Sequence, residues 1–385
     1  MTKIVQIITK LELGGAQRIV LDLCRKLILE NYKVVLITND EGVLVPDARK
    51  IENLKIYFIS ELDRNIRPLK DIKCFFLLKS ILCKEKPDVV HTHSSKAGIL
   101  GRLAAKMNKV PVIVHTIHGF AFNDYQSIFV KKFFIILERF AAYWTDKLIA
   151  VSADVMKKGL KAKIGGKEQY KVIYNGVDVN LFQNIEIDRN AKVKELGLNP
   201  DFPIVGMIAC LKHQKAPQDF IKMADIILKK HQKTQFILIG DGVLREEIEL
   251  LIKIYNLENN VRLLGWRRDV PELLSIMNIF ALTSLWEGLP LTVLEAMSGK
   301  KPVVANNIDG NKDIIIDGEN GFLCEAKNIK QMAEKIIYLL RNPDSAGAMG
   351  LKANRCVQKY DKNRMLGENI ALYDKIKKDF SLRSK

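Results

Sequence analysis

The sequence predicts an α/β protein built from two consecutive, doubly wound domains of parallel sheet, which we expect to face each other across a cleft. Short apolar segments of strand length alternate with amphipathic helical patterns along most of the chain. At 385 residues the chain is long for a single hydrophobic core. A polar segment at residues 184–190 interrupts the alternation. We therefore predict domains at residues 1–178 and 179–361, with a last helix, about 362–385, that packs back on the first domain.

Composition excludes several classes of protein. Hydrophobic residues make up 48% and charged residues 27% of the chain, which is typical of a globular protein and not of a disordered one. No apolar run approaches the 18 residues of a membrane span, and the N-terminus lacks a cleavable signal pattern. The six cysteines are scattered without a Cys-x-x-Cys pair, which indicates reduced thiols and a cytoplasmic protein.

Positive charge is concentrated in the first half of the chain. Residues 1–175 contain 30 lysines and arginines against 17 acidic residues, a net charge of +13, and residues 176–385 contribute +4 of the total of +17. This excess favours an anionic partner, such as acidic lipid headgroups, a phosphorylated acceptor or nucleic acid. A lysine-rich composition of the source organism would explain the same numbers, so both interpretations stay open.

The first domain begins with a strand, a glycine pair and a helix. Gly14-Gly15 lies between a strand at Lys3–Thr9 and a helix from Ala16 to about Glu30, where missing side chains let backbone approach a ligand. No third glycine completes a dinucleotide fingerprint, which argues against an NAD enzyme. The remaining strands are predicted at Lys33–Thr38, Lys55–Ile59, Asp88–Thr92, Val110–Thr116 and Lys147–Val151.

Two helices of this domain, Asp71–Lys86 and Phe129–Tyr143, are apolar with basic residues spaced through them. Each is expected to pack in the domain while its basic side chains reach solvent. As a pair they also fit a surface that lies on an anionic bilayer.

Four of the six histidines, His91, His93, His115 and His118, lie near strand ends. Histidines two apart on a strand share a face, so we considered a metal site. No cysteine, aspartate or glutamate stands beside them to complete a ligand shell, and we predict no metal. His118 differs because it precedes a glycine and an irregular aromatic segment, residues 120–125. That position suits a hydrogen bond to a substrate.

The second domain repeats the alternation. A Gly-Asp-Gly turn at residues 240–242 follows its second strand. Its strands are predicted at Pro203–Ala209, Gln235–Ile239, Val261–Leu264, Ser275–Thr283, Lys301–Asn306 and Gly321–Leu323. Its helices are predicted at Pro217–Lys230, Val243–Tyr255 and from Ile329 to about Lys378.

The most informative segment is residues 283–298, TSLWEGLPLTVLEAMS. Glu287 and Glu295 bracket a Gly-Leu-Pro turn that enters an apolar helix, and Pro290 suits the first helical position. Thr292, Glu295 and Ser298 form one polar stripe on that helix. The stripe either faces solvent or turns toward the cleft, where the glutamates would accept hydrogen bonds from ligand hydroxyls.

Lys215 lies on the loop after the strand at Pro203–Ala209. A lysine at the carboxyl end of a strand facing a cleft would neutralise a phosphate group. An exposed loop lysine is the simpler interpretation when this residue is considered alone.

Together these motifs resemble the family 4 retaining nucleotide-sugar glycosyltransferases of the GT-B fold, and most closely the capsule and surface-polysaccharide type. The resemblance covers nearly the whole chain. It is carried by Gly14-Gly15-Ala16-Gln17, His91-Thr-His93-Ser94, His118-Gly119-Phe120, Val151-Ser152, Asn175-Gly176-Val177-Asp178, Lys215, Gly240-Asp241-Gly242 and Glu287-Gly288-Leu289-Pro290 through Glu295.

The resemblance implies two Rossmann-like domains, with the acceptor bound by the first and the donor by the second. Glu287 would contact the hydroxyls of the transferred sugar, Glu295 the ribose, and His118 the sugar near the reacting carbon, so His118 and Glu287 are the expected catalytic residues. The expected nucleotide-sugar contacts are Gly14, Gly15, Lys215, Trp266, Gly288, Leu289, Leu291, Thr292 and Glu295. The expected acceptor contacts are Phe120, Phe122 and Tyr125.

The implied reaction needs no cofactor and no metal, because Lys215 and the amide groups of a helix start would stabilise the leaving diphosphate. The expected partners are a nucleotide-sugar donor, UDP-linked in our prediction, a glycan or polyprenyl-diphosphate-linked acceptor, and an anionic membrane surface, but no nucleic acid. We expect a cytoplasmic protein that is peripheral to the inner face of the plasma membrane. Retention is expected through attack on the face that the leaving group departs from.

One position departs from the family pattern. Cys210 stands where the family usually has an arginine, and a neutral thiol cannot offset charge on a diphosphate. Lys212, Arg267 or backbone amides would then assist Lys215. Two alternative functions remain at this stage, a non-catalytic nucleotide-sugar binder and a basic nucleic-acid-binding protein, although no nucleic-acid-binding module is recognisable.

Overall fold

The computed structural model describes residues 1–383 and divides the chain into two compact units. Unit 1 comprises residues 1–175 together with the C-terminal segment from Asn363, and unit 2 comprises Gly176–Lys362. The boundary drawn from the sequence lay after residue 178, and the last helix was predicted to begin at about residue 362. Both units are α/β with parallel sheets, so the predicted fold class is confirmed.

Unit 1 contains a seven-stranded sheet. Its strands are β1 (Lys3–Ile7), β2 (Lys33–Thr38), β3 (Lys55–Phe58), β4 (Val89–His93), β5 (Val112–Ile117), β6 (Lys147–Ala150) and β7 (Tyr170–Val172). Its helices are α1 (Gly15–Leu29), α2 (Val45–Arg49), α3 (Pro68–Glu85), α4 (Ser95–Met107), α5 (Ile128–Tyr143) and α6 (Ala153–Lys161), to which the C-terminal segment adds most of a further helix.

The sheet of unit 1 has the strand order β3-β2-β1-β4-β5-β6-β7, and every pairing is parallel. The order reverses between β1 and β4, where Gln6 lies opposite His91. Ligands of open parallel sheets bind at the carboxyl ends of the strands at such a reversal. Apolar side chains of β1, β2 and β4 form one core with α3 and α4, which fixes the position of these strand ends.

Unit 2 contains a six-stranded sheet. Its strands are β8 (Ile204–Ile208), β9 (Gln235–Ile239), β10 (Val261–Gly265), β11 (Ile279–Leu282), β12 (Val303–Asn306) and β13 (Phe322–Cys324). Its helices are α7 (Val179–Gln183), α8 (Arg189–Glu195), α9 (Pro217–Leu228), α10 (Arg245–Ile254), α11 (Val270–Ile276), α12 (Leu291–Ser298), α13 (Ile329–Arg341) and α14 (Pro343–Val357), and α15 (Lys362–Arg383) runs on into unit 1.

The sheet of unit 2 has the order β10-β9-β8-β11-β12-β13, again parallel, and reverses between β8 and β11. One sequence-based assignment needs correction. The strand predicted at Ser275–Thr283 begins later, because α11, which has Pro271 in its first turn, includes Ser275 and Ile276. The helical patterns predicted from Ile329 are three helices, and Pro343 begins the second.

Two helices of unit 1 expose apolar faces that the sequence suggested would be packed. On α5, Phe129, Phe133 and Phe140 are 81%, 48% and 63% exposed, and the spacing of these rings places them on one stripe with Ile136 and Tyr143. The buried residues of this helix are Glu138, Ala141 and Ala142. Leu69, Ile72 and Phe76 form a similar exposed stripe on α3. Packing therefore does not account for these two faces, and of the two interpretations of the helices the surface role is the one that fits the exposed rings.

Candidate active site

An ion pair between Lys215 and Glu287 lies at the strand reversal of unit 2. Lys215 ends a short 3-10 turn after β8, and Glu287 lies on the loop after β11. Because β8 and β11 are neighbours in the sheet, their carboxyl-end loops meet. The Lys215 Nζ contacts Glu287 Oε1, and the two side chains are only 16% and 7% exposed. The structure thus brings together two residues that the sequence assigned to the donor site.

Thr283, at the end of β11, holds these two loops in register. Its hydroxyl lies 2.8 Å from the Lys215 carbonyl oxygen and 2.9 Å from that of Ala216, and its single hydrogen is shared between these two acceptors. Ala216 has a left-handed backbone, with φ of 45°, which turns the chain into α9. Asn306, at the end of β12, donates in turn to the Thr283 carbonyl oxygen at 2.8 Å.

Gln214 links the same loops from the other side. The Leu285 amide donates to the Gln214 carbonyl oxygen at 2.8 Å, and the Gln214 side-chain amide donates to the Trp286 carbonyl oxygen at 2.8 Å. Sequence reasoning missed Gln214 and Asn306. The available signal was that both follow buried strands, the same position that drew attention to Lys215.

We expect Thr283→Val to weaken the site without removing any group proposed to touch substrate. The substitution preserves side-chain shape and leaves the Lys215 carbonyl oxygen without its hydroxyl donor, which typically costs about 1–3 kcal/mol, whereas the Ala216 carbonyl oxygen keeps the Asp219 amide as donor. Thermal unfolding should report that loss, and the initial rate of sugar transfer should fall because Lys215 is less firmly held. Thr283→Ser, which keeps the hydroxyl, is the matched control. An unchanged rate in Thr283→Val would contradict this role.

The helix that carries Glu295 begins one residue later than predicted. Pro290 precedes α12 instead of opening it, and the Val293 amide donates to the Pro290 carbonyl oxygen, so that amide is not available to a ligand. Glu295 is 2% exposed and Ser298 is fully buried, with its hydroxyl bonded to the Leu294 carbonyl oxygen at 2.8 Å. The interpretation of this stripe as a solvent-facing surface is therefore wrong.

The Gly-Leu-Pro turn is closely packed. Gly288, Leu289 and Leu291 are buried, and Thr292 is half-buried. The backbone of Gly310, with φ of 83°, approaches so closely that a Cβ there would lie 2.4 Å from the Gly288 carbonyl oxygen. This packing fixes the turn that follows Glu287.

Trp266, one of the expected nucleotide-sugar contacts, lies directly after β10 and is 39% exposed. Arg267 does not assist Lys215, which corrects our expectation. Its guanidinium contacts Asp269 at 2.6 Å and Glu195 at 3.1 Å. Those two hydrogen bonds, Asp269 first, raise the pKa of Arg267 further above its ordinary value.

In unit 1, Gly14 is the residue before α1, and Gly15 is the first residue of that helix, one position earlier than predicted. A Cβ on Gly14 would lie 2.6 Å from the side-chain oxygen of Gln17. The Gln17 amide in turn donates to the Lys10 carbonyl oxygen at 3.2 Å. The glycine pair therefore closes a tight turn at the carboxyl end of β1.

Hydrogen bonds connect three of the four histidines of unit 1, His91, His93 and His118, whereas His115 bonds Thr92 at 2.9 Å. His91 bonds Thr116 at 2.7 Å, and His93 bonds His118 at 3.0 Å. Burial lowers the pKa of His91 to about 3 and that of His118 to about 4, and it holds the pKa of His93 well below its ordinary value. All three rings are therefore neutral at pH 7.

The three predicted acceptor contacts differ in burial, because Phe120 and Phe122 are buried and Tyr125 is exposed. Phe120 and Phe122 are 9% and 2% exposed and stack on each other with ring centroids 4.6 Å apart. Lys158 lies over the Phe122 ring at 5.6 Å. Packing explains these two rings, so the structure does not support them as acceptor contacts, whereas Tyr125 is 47% exposed.

Within residues 1–383, no group of three or more histidine, cysteine, aspartate or glutamate side chains is arranged to hold a metal ion. The predicted donor residues from Lys215 to Glu295 lie in unit 2, whereas Gly14, Gly15 and His118 lie in unit 1. In the same described part of the chain, no helix combines the length and apolar character that crossing a membrane would need.

Comparison with known proteins bears on both halves of the chain. Residues 13–181 match the family model described as Glycosyltransferase Family 4, and residues 188–355 match the model described as Glycosyl transferases group 1. The first segment contains β2 to β7 of the sheet of unit 1, and the second contains all six strands of the sheet of unit 2.

Two relatives show the similarity over most of the length. The chain is 36% identical to the UDP-Gal:alpha-D-GlcNAc-diphosphoundecaprenol alpha-1,3-galactosyltransferase of Escherichia coli, over 84% of this chain and 84% of that protein. It is 28% identical to the N,N'-diacetylbacillosaminyl-diphospho-undecaprenol alpha-1,3-N-acetylgalactosaminyltransferase of Campylobacter jejuni, over 88% of this chain and 91% of that one.

Solved structures show the same fold at lower identity. Anabaena HepE in complex with UDP and glucose superposes with a TM-score of 0.85 at 21% identity, covering 97% of this chain and all of that one. Sucrose-phosphate synthase from Thermosynechococcus elongatus gives 0.84 at 20% identity, over 98% of this chain and 99% of that one.

Proposed function

The chain belongs to the family 4, group 1 glycosyltransferases of the GT-B fold, and we propose that it transfers a sugar from UDP to a polyprenyl-diphosphate-linked sugar with retention of configuration. The Lys215–Glu287 ion pair at the strand reversal of unit 2 carries this proposal. This pair places a cation that can bind the diphosphate beside a carboxylate that can bind the sugar, at the carboxyl ends of β8 and β11.

Breaking the bond between sugar and diphosphate builds positive charge on the sugar and negative charge on the leaving group. Lys215 would offset the negative charge, and preorganised charges of this kind supply much of the rate enhancement of enzymes. Glu287 would accept hydrogen bonds from sugar hydroxyls while Lys215 holds its other side. The exposed face of Trp266 would stack on uracil, and Glu295 would accept from the ribose.

The transfer would proceed without a metal ion, because Lys215 and the amide groups near Leu291 supply the charge stabilisation. The contact of Glu287 with Lys215 supports a binding role for this carboxylate over that of a covalent nucleophile. The acceptor hydroxyl would then attack on the face from which UDP departs. The half-buried Cys210 supplies no positive charge here, so Lys215 carries more of this task than in relatives with an arginine.

The test is a transfer assay with defined substrates. UDP-galactose is the first donor, because the Escherichia coli relative is a UDP-galactose enzyme, and a short-chain polyprenyl diphosphate carrying N-acetylglucosamine is the first acceptor. UDP-N-acetylgalactosamine and GDP- and dTDP-sugars complete the donor panel. We expect product with UDP-sugars and not with GDP- or dTDP-sugars. Adding a metal chelator should not reduce the amount of product. Thermal stabilisation by UDP without any transfer or donor hydrolysis would instead indicate a non-catalytic binder.

We also propose that the exposed stripes of α3 and α5 rest on an anionic membrane that carries the acceptor, at the inner face of the plasma membrane. The rings of Phe129, Phe133 and Phe140 are accessible, and Lys132 and Arg139 flank them on the same helix. Exposed aromatic groups beside cations are typical of helices that lie in a bilayer interface. The net charge of +13 on residues 1–175 has the complementary sign for acidic lipids.

Vesicle flotation tests this surface. The protein should float with vesicles containing phosphatidylglycerol and remain unbound with phosphatidylcholine alone. Phe129→Ser, Phe133→Ser and Phe140→Ser together should weaken binding at least about tenfold, because each ring buries apolar area. Val243→Ser, Leu250→Ser and Ile254→Ser change three exposed apolar residues of unit 2 and should leave binding unchanged. Equal binding to both lipids, or salt-sensitive binding to duplex DNA instead, would contradict the proposal.

A further inference from the structure

A buried hydrogen-bond chain in unit 1 runs from the C-terminal helix α15 to His118. Tyr373 of α15 is 1% exposed, and its hydroxyl oxygen lies 3.3 Å from Gln6 Nε2, which donates to it. The other end of the Gln6 side chain, Oε1, lies 2.8 Å from His93 Nε2. His93 Nδ1 lies 3.0 Å from His118 Nε2. Gln6 and His93 are themselves fully buried.

Each member of this chain constrains the next. A carbonyl oxygen only accepts hydrogen bonds, so His93 must carry its proton on Nε2. A neutral imidazole has one donor and one acceptor, so His93 Nδ1 accepts. His118 must then carry its proton on Nε2 in order to donate to His93. The proton positions are set in sequence, from Gln6 to His118.

The remaining nitrogen of His118 is therefore an acceptor. His118 Nδ1 is buried and has no hydrogen-bond partner within the described part of the chain. We infer that Gln6 and His93 are positioning residues that fix the tautomer of His118, so that its Nδ1 accepts a hydrogen bond from a hydroxyl group of a bound substrate. The identity of that hydroxyl donor rests on the proposed function, whereas the tautomer does not.

This assignment excludes other contacts for the same atom. A phosphate oxygen or the ring oxygen of a sugar offers no proton, so neither can satisfy Nδ1. Protonation of the ring does not reverse the polarity near pH 7, because burial keeps the pKa of His118 low, at about 4. The reversed chain, with the Gln6 amide nitrogen toward His93, would make Nδ1 a donor instead, and the two arrangements are distinguishable by experiment.

Nitrogen-15 NMR of protein labelled only at histidine reads the tautomer directly, and the chain contains six histidines. His118→Gln identifies the signals of His118. We expect a protonated Nε2 and an unprotonated Nδ1 for His118 in the ligand-free protein. In His93→Phe, or in Gln6→Leu if the first variant does not fold, His118 should become a mixture of tautomers. His231→Gln should leave the His118 signals unchanged.

UDP-galactose and UDP alone complete the experiment. We expect the His118 Nδ1 signal to move with UDP-galactose and to stay in place with UDP. A proton on Nδ1 in the ligand-free protein, or an unchanged tautomer in both His93→Phe and Gln6→Leu, would overturn the inference. If the tautomer is as expected and UDP-galactose leaves Nδ1 unmoved, the donor assigned under the proposed function is contradicted instead.

Discussion

Glu287→Ala should abolish sugar transfer while both parallel-sheet units remain folded. The carboxylate is 7% exposed and contacts Lys215, so the substitution removes the group expected to bind the sugar and also releases the lysine. Removing one preorganised group of this kind typically lowers the rate about 10²–10³-fold. Loss of both contributions should bring transfer below detection. Initial rates with UDP-galactose and the lipid-linked acceptor measure this, and circular dichroism checks the fold.

Two further variants separate the sugar contact from the ion pair. Glu287→Gln keeps the side-chain shape and can still accept a hydrogen bond from Lys215, so its melting temperature should stay near that of the parent. It should lose most of the activity, because the negative charge of the carboxylate is gone. Lys215→Met removes the cation. The double variant, Glu287→Gln with Lys215→Met, should transfer sugar only a little more slowly than the slower single variant, because the two residues act together. Glu319→Gln changes an exposed glutamate of the same unit and serves as control. Activity near the parent level in Glu287→Ala would place the donor elsewhere.

Much of this fold could be predicted, because alternating apolar strands and amphipathic helices have only a few stable arrangements. The errors have local causes. The strand assigned at Ser275–Thr283 began too early because a short apolar helix end and a buried strand look alike in sequence. For α3 and α5, packing and a surface role both stayed open, because periodicity shows which residues share a face and not what covers that face.

The candidate site was predictable where a residue type and its strand-end position agree, as for Lys215 and Glu287. Their ion pair was not predictable, since it depends on β8 and β11 being neighbours in the sheet. Arg267 was assigned as an assistant on charge alone, and its carboxylate partners Asp269 and Glu195 were not foreseen. The hydrogen bond between the Tyr373 hydroxyl and His91 Nδ1 was not predictable either. The two residues lie 282 positions apart along the chain, and no local pattern links them.

Acid should destabilise unit 1 well before its carboxylates titrate. His91, His93 and His115 are at most 3% exposed. Burial holds the pKa of His91 near 3 and keeps those of His93 and His115 well below the ordinary value, and the charge of Arg102 adds to the effect at His115. Unfolded histidines titrate near pH 6.5, so below that pH the unfolded state binds more protons than the folded one.

The sign follows from these lowered pKa values: the stability is complete above about pH 6.5 and is lost as pH falls toward the folded values. Burial also lowers the pKa of His118, to about 4, so four such residues should lower the free energy of unfolding by about 5 kcal/mol between pH 7 and pH 5.5. Trp144 is the tryptophan of unit 1, so its fluorescence during urea unfolding of a Trp266→Phe, Trp286→Phe variant reports this unit. His91→Asn should remove about a quarter of the pH dependence, and His213→Asn, at an exposed position of unit 2, should remove none. A free energy of unfolding that is constant over this range would show that these rings bind protons in the folded protein as they do in the unfolded chain, and it would contradict their neutral, buried arrangement.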